Sequence, residues 1–395
     1  MTPAAVLIFL AFALAFAAMY IEDKTPKQAL WSVAGEALKG MRRLRVPLPA
    51  LETMLEKGAS RRVSYSPYKR IRKDARHLPQ LLHIPTSDGS GEATHPDVLR
   101  VPEGWGAHGW KWLMSATPYP SGNDFFENPE FYVSFDGVRW SSPAEGSNPL
   151  ARVPAEIWRR DLKKEYHSDT SLLLRGGTLR LYYRWSGVAL DGTVENRVYV
   201  IASEDGLNWS ERALLLEEKR PAALCRGFLS PSVLFMDGEY VMWTVEYDEG
   251  ERAVTRRTSA DGLLWSAPLK ALALAPLDMP PPWHLDVVPC EGGLLTAMTA
   301  AKDRGFGASL YCGFSSDGGR VWNITDKLVE PGYFFEGQRI YRSSLVSMGG
   351  SDYSLFYSAL SLNGTWNIAR TELKNIKLPN RGAARRTTRK GASPP

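Results

Sequence analysis

Three aspartates in this sequence stand two residues after a histidine: His95-Pro-Asp97, His167-Ser-Asp169 and His284-Leu-Asp286. Two carboxyl groups of unlike environment, one protonated and one ionised, are what general acid–base or nucleophilic hydrolysis needs. Each His-x-Asp opens a run of β-forming residues, such as Val98-Leu99, Leu172-Leu173-Leu174 and Val287-Val288. Residues two apart on a strand share a face, so each histidine is placed to hydrogen-bond and orient its aspartate. Three converging histidines could instead hold a metal, but histidine and aspartate crowding one face favours the orienting use. No metal or cofactor is expected. An aspartate at a strand start can also merely bind neighbouring amides; its recurrence at three starts argues for chemistry.

Those carboxylates need a scaffold, and a repeat supplies one. Ser134–Trp140 (SFDGVRW), Ser203–Trp209 (SEDGLNW), Ser259–Trp265 (SADGLLW) and Ser315–Trp322 (SSDGGRVW) share a pattern, and Ser361–Trp366 (SLNGTW) is a degraded fifth copy. Asp binds turn amides, Gly supplies φ > 0 and Trp packs back onto the sheet. Strand openings precede the turns: the three His-x-Asp segments, Ser230-Pro-Ser232 and Tyr341-Arg-Ser-Ser-Leu345. Strand start, strands, tight turn and Trp make one blade. The expected fold is therefore all-β, a five-bladed β-propeller over 91–374, with inner-strand starts around a central channel.

The turns resemble the Asp-box of sialidases, and Ser315–Trp322 matches its full S-x-D-x-G-x-x-W form. Five blades with Asp opening inner strands resemble the arabinanase, xylosidase, invertase and levansucrase superfamily of propeller glycosidases. That resemblance implies a glycoside hydrolase in which the first-blade Asp97 is base or nucleophile and the second-blade Asp169 orients the acid. It also implies a general-acid Glu two residues before a Pro in the third blade. Here that position is Leu229, in Leu229-Ser-Pro231. Glu246 or Asp286 could replace it, though neither matches the family pattern. A sialidase would need an Arg triad, and Arg342 alone is well placed, so that reading stands second among enzymes.

Sugar recognition needs flat aromatic platforms and planar donors. Trp283 beside His284 is one candidate platform, with Trp105, Trp110 and Trp112 in the first blade. Arg184 and Arg342 could bind hydroxyls or a carboxylate, and Glu127 lies in a polar loop, Asn123–Pro129, suited to a pocket rim. His95, His167 and His284 complete the expected substrate-binding set. The contrasting expectation is a non-catalytic propeller that binds glycans or protein partners.

Charge separates the remaining segments. Residues 1–90 carry net +7, 375–395 carry +6 and the body 91–374 carries −8. An acidic body is a poor nucleic-acid groove, so no nucleic-acid partner is expected; the basic arms suit an anionic lipid surface or, at 375–395, a disordered tail. Pro3–Ile21 is an uncharged apolar run of span length, read as an uncleaved single-pass anchor over 1–21. Lys24 to Arg45 favour a cytoplasmic propeller, whereas most polymeric glycans lie outside the cytoplasm; the side stays open. Residues 22–90 read as a connector, with helical spacing over Ala29–Leu44. Three cysteines without paired spacing point to no disulfide framework. Oligomeric state is not legible.

Overall fold

The computed structural model describes residues 66–376, apart from 75–76, 153–161, 249–250, 277 and 302–307. The described residues form five sheets in chain order, a five-bladed propeller. Blade 1 is built from Ala93–Trp105, Trp110–Pro118 and Glu130–Ser134. Blade 2 comprises Leu162–Arg175, Thr178–Ala189, Thr193–Ser203 and Ala213–Pro221. Blade 3 runs through Leu229–Met236, Glu239–Asp248, Glu251–Ser259 and Leu269–Lys270. Blade 4 contains Pro282–Cys290, Gly293–Ala300, Ser309–Ser315 and Val321–Val329, with Leu272–Leu274 added in parallel at its edge.

Blade 5 closes the ring. Arg339–Gly349, Asp352–Leu360 and Trp366–Leu373 are joined by Gln80–Leu82, which pairs antiparallel with the third strand. Residues read from sequence as connector thus supply the fourth strand of the last blade. One sheet thus joins both ends of the propeller and closes the ring, leaving only a three-residue edge strand. The apolar run Pro3–Ile21, the helical spacing at 29–44 and the basic tail from 377 onward lie outside the described residues. Among the described residues no helix is long and apolar enough to cross a membrane.

Four of the repeated turns follow the third strand of their blades and share one hydrogen-bond scheme. In the first, Asp136 Oδ1 accepts the Val138 and Arg139 amides at 2.9 and 2.8 Å, and Ser134 Oγ accepts the Gly137 amide at 2.9 Å. Gly137 takes φ 72°, which an L side chain resists. The turn tryptophans pack across to the preceding blade: Trp209 against Phe131, Trp322 against Trp243, and Trp140 against Phe356 of blade 5. Apolar burial accordingly forms five clusters, one in each wedge between neighbouring blades. Each large side chain buried there contributes about 1.5–3 kcal/mol.

The degraded copy differs. Ser361–Trp366 joins the second and third strands of blade 5, so it lies at the opposite end of its blade from the other four turns. That is the end where the inner strands begin. Trp366 is therefore not a wedge tryptophan of the repeat.

Candidate active site at the strand starts

The inner strands present two rings of residues to the axis. The upper ring is His95, Asp169, Ser230, His284 and Arg342; two residues further on comes Asp97, Ser171, Ser232, Asp286 and Ser344. In blades 1, 2 and 3 the upper residue has φ of 54°, 54° and 51°, and the pairing to the second strand slips beside it. Each such left-handed residue costs on the order of 1–2 kcal/mol, and strain of this kind gathers at functional sites.

Asp97, Asp169 and Asp286, expected to converge, divide between the two rings. The His-x-Asp of blade 2 is two residues out of step with the others: Asp169 occupies the place that His95 and His284 hold elsewhere, and Ser171 the place of Asp97 and Asp286. Only Asp169 lies in the upper ring. Asp97 accepts the Leu172 amide at 2.5 Å and the Ser344 hydroxyl at 3.1 Å. Asp286 accepts the Leu345 amide at 2.7 Å and the Ser232 hydroxyl at 3.3 Å. Both stitch one inner strand to its neighbours. Burial, with the Asp97 carboxylate nearby, pushes the Asp286 carboxyl up to about 7.

The upper ring gathers around one oxygen. Asp169 Oδ1 lies 3.2 Å from His284 Nδ1, 3.7 Å from His95 Nε2 and 3.7 Å from Arg342 Nη1, while Oδ2 accepts from Arg184 Nε at 3.1 Å. All of these side chains are buried. Burial opposes ionisation of Asp169, but the two imidazoles and the Arg184 guanidinium hold its carboxyl well below the usual range. Burial keeps both imidazoles neutral, pressing His95 down to about 3 and lowering His284. Arg184 also donates to Ser168 Oγ, Asn196 Oδ1, the Gly227 carbonyl and the Tyr166 hydroxyl. It is an orienting residue, fully occupied.

Glu127 joins this site from the loop after the second strand of blade 1. Its Oε1 lies 3.4 Å from His95 Nδ1. Burial, reinforced by Asp124 and Asp169, raises its carboxyl well above the usual range. His167, expected in the pocket, anchors that loop instead: its amide donates to the Glu127 carbonyl at 3.0 Å and its Nδ1 lies 3.1 Å from Asn128 Oδ1. Its ring packs edge-on against Tyr183. Glu246 is fully buried in blade 3, bonded to Arg257, Thr244 and Thr255. Burial would raise its carboxyl, but Arg257 outweighs that and lowers it, so it makes a poor proton donor.

Among the aromatics, Trp105, Trp110 and Trp112 are core residues, 4–7% exposed. Trp283 stacks at 13° on His284 and meets Tyr341 edge-on at 5.4 Å. From there a wall continues through Tyr341, Trp366 and Tyr119, with ring centroids 5.3 and 5.6 Å apart. Tyr341, Tyr119 and Trp366 were not expected here. Tyr341 directly precedes Arg342, which is the one sequence signal that could have pointed to it.

His95, Asp169 and His284 each offer an atom that could hold a metal ion, all within 4.8 Å of one another. Among the described residues this is the one such group. The residues fit that use. His284 Nε2 and Asp169 Oδ1 have no hydrogen-bond partner although buried. His95 Nδ1 is held by Thr117 Oγ1 at 2.9 Å, which turns Nε2 toward Asp169 in the manner of an oriented ligand. Neutral imidazole and ionised carboxylate are the forms a cation requires. The metal-free expectation from sequence rested on three histidines sharing faces with their aspartates; two histidines and one aspartate from different strands converge instead.

Comparison with known proteins places this architecture. No family model matches the chain. An A type blood N-acetyl-alpha-D-galactosamine deacetylase from Flavonifractor plautii is 26% identical over 319 residues, covering 68% of this chain and 40% of the relative. The chain therefore spans about two-fifths of that curated relative. The crystal structure of an N-acetylgalactosamine deacetylase from F. plautii, in complex with blood group B trisaccharide, superposes with TM-score 0.65 at 22% identity, covering 76% of this chain and 95% of that one. An exo-1,5-alpha-L-arabinanase from a bovine ruminal metagenomic library superposes with TM-score 0.51 at 10% identity, covering 71% and 93%. The chain shares the five-bladed fold of these enzymes. The arabinanase-type resemblance read from the blade openings holds at the level of fold.

Proposed function

We propose that this propeller is a carbohydrate-modifying hydrolase that removes an N-acyl group from an amino sugar at the axial site. The observation that carries the reading is the convergence of His95, Asp169 and His284 within 4.8 Å, from three different blades. A divalent cation held by these residues would polarise an acyl carbonyl and ease deprotonation of water. The chain's own groups do the rest. Glu127, beside His95, takes a proton from water when ionised and returns one to the departing amine when protonated; its raised carboxyl suits both tasks. Arg184 keeps Asp169 ionised and oriented. The wall of Trp283, Tyr341, Trp366 and Tyr119 offers apolar faces to a sugar ring and excludes water. The deacetylase name of the curated relative adds support.

A second reading, glycosidic hydrolysis, is favoured by the opposed shifts of Asp169 and Glu127, the separation that assigns base and acid in paired-carboxylate enzymes. Against it, the third-blade acid of the arabinanase-type enzymes has no counterpart at Leu229, and Asp169 is enclosed by cations. The acidic body supports a sugar rather than a nucleic acid as partner. Pro3–Ile21 supports a single-pass anchor for the enzyme, with the side of the propeller left to experiment. Incubating the full chain with N-acetylated oligosaccharides, with and without chelator, separates the readings. Chelator-sensitive acetate release is expected; new reducing ends without acetate would favour glycosidic cleavage, and neither product would refute both.

A further inference from the structure

Among the described residues, Arg342 is a charged side chain with no solvent exposure. Its Nη2 donates to the Pro231 carbonyl at 3.2 Å. Nε and Nη1 make no hydrogen bond, although Nη1 comes within 3.7 Å of Asp169 Oδ1. Buried donors left unmade cost about 1–3 kcal/mol each, more when charged. Arg342 belongs to the upper ring, between His284 of blade 4 and His95 of blade 1, and its Nη1 approaches Asp169 of blade 2.

Charge counting points the same way. Two guanidiniums, Arg184 and Arg342, approach Asp169, which Arg184 already engages at 3.1 Å. Arg342 is thus left without a carboxylate at hydrogen-bond distance, and its Nε and Nη1 donors stay unmade. Water can satisfy donors but cannot neutralise charge. A neutral sugar cannot either.

We infer that Arg342 reads an anionic substituent on the carbohydrate, a carboxylate or a sulfate ester, so that the natural ligand is an acidic glycan. The anion would sit on the Nε and Nη1 side of Arg342, next to Tyr341, with its sugar ring against the aromatic wall. This deepens the carbohydrate reading and rests on it, but it does not depend on the deacylation chemistry.

Isothermal titration of the full chain in mild detergent tests it with three probes: methyl galacturonoside, the 6-sulfated methyl galactoside and neutral methyl galactoside. At least one anionic sugar should bind about tenfold or more tightly than the neutral one, as a charge-assisted contact to a buried guanidinium requires. Whichever anionic probe binds better names the source of the charge. Arg342→Gln should bring that preference to within about twofold, whereas Arg342→Lys, which keeps the charge, should retain part of it. Near-UV circular dichroism checks that both variants fold, and a misfolded Gln variant leaves the Lys variant and the wild-type preference as the deciding measurements. Equal binding of all three probes by the wild type, binding of none, or an undiminished preference in folded Arg342→Gln would each overturn the inference. Anion preference without acetate release from any glycan would instead refute the deacylation and leave this assignment standing.

Discussion

Substituting Asp286 by Asn should change how stability depends on pH, and by an amount the structure allows to be worked out. Asp286 is 5% exposed in the lower ring and bonded to the Leu345 amide and the Ser232 hydroxyl. Its carboxyl is raised from 3.8 to about 7 by burial and by the Asp97 carboxylate. The folded chain therefore keeps this proton over a window in which the unfolded chain has released it. The resulting stabilisation is full below about pH 4 and is lost as pH rises through about 7. A gap of about three units at 1.36 kcal/mol per unit sets the loss at about 4 kcal/mol. Asn cannot titrate, yet its carbonyl can still accept the Leu345 amide. The unfolding free energy of the wild type minus that of Asp286→Asn, from urea titrations of the full chain between pH 4 and 8, should thus fall by about 4 kcal/mol at most. Parallel pH profiles for the two proteins, or a difference that grows with pH, would refute this account of the lower ring.

Two further outcomes follow from the site and the turns. Glu127→Gln should lower deacylation by about a hundred- to ten-thousand-fold. It should also abolish the acidic limb of the rate profile, since the carboxylate that takes the proton from water is lost as pH falls through its raised value; a variant that keeps the limb would exclude Glu127 as the base. Gly319→Ala should destabilise by about 2–4 kcal/mol, because its Cβ would come 2.3 Å from Trp243 Nε1 at φ +77°. Gly146→Ala, at φ +71° with nothing within 4 Å, should cost only about 1–2 kcal/mol; equal shifts in thermal midpoint would show that the wedge contact is unimportant.

Much of the fold was legible because its repeating part is local chemistry. A Ser, an Asp and a Gly within four residues close a turn through their own side chains and backbone, as Ser134, Asp136 and Gly137 do, whatever lies elsewhere in the chain. Alternating apolar residues beside such turns then build blades, and five openings count them. The closing strand Gln80–Leu82 was not legible, since three residues carry no pattern and their role depends on a partner almost three hundred residues away. The site was legible only in part. His95, Asp169, His284, Glu127, Arg184, Arg342 and Trp283 were all marked by type and position. Their grouping was not, because the His-x-Asp of blade 2 meets the axis two places out of step with those of blades 1 and 4, although blades 1, 2 and 3 share the same left-handed residue at the upper ring. No spacing rule records which residue of a strand reaches the axis. Nor does spacing say at which end of a blade a turn lies, which is why Trp366, a member of the repeat by sequence, stands beside Tyr341 in the site. Short-range hydrogen bonding wrote the blades into the chain; the closure of the ring, which brings strand starts from distant segments to one axis, decided which of their side chains meet.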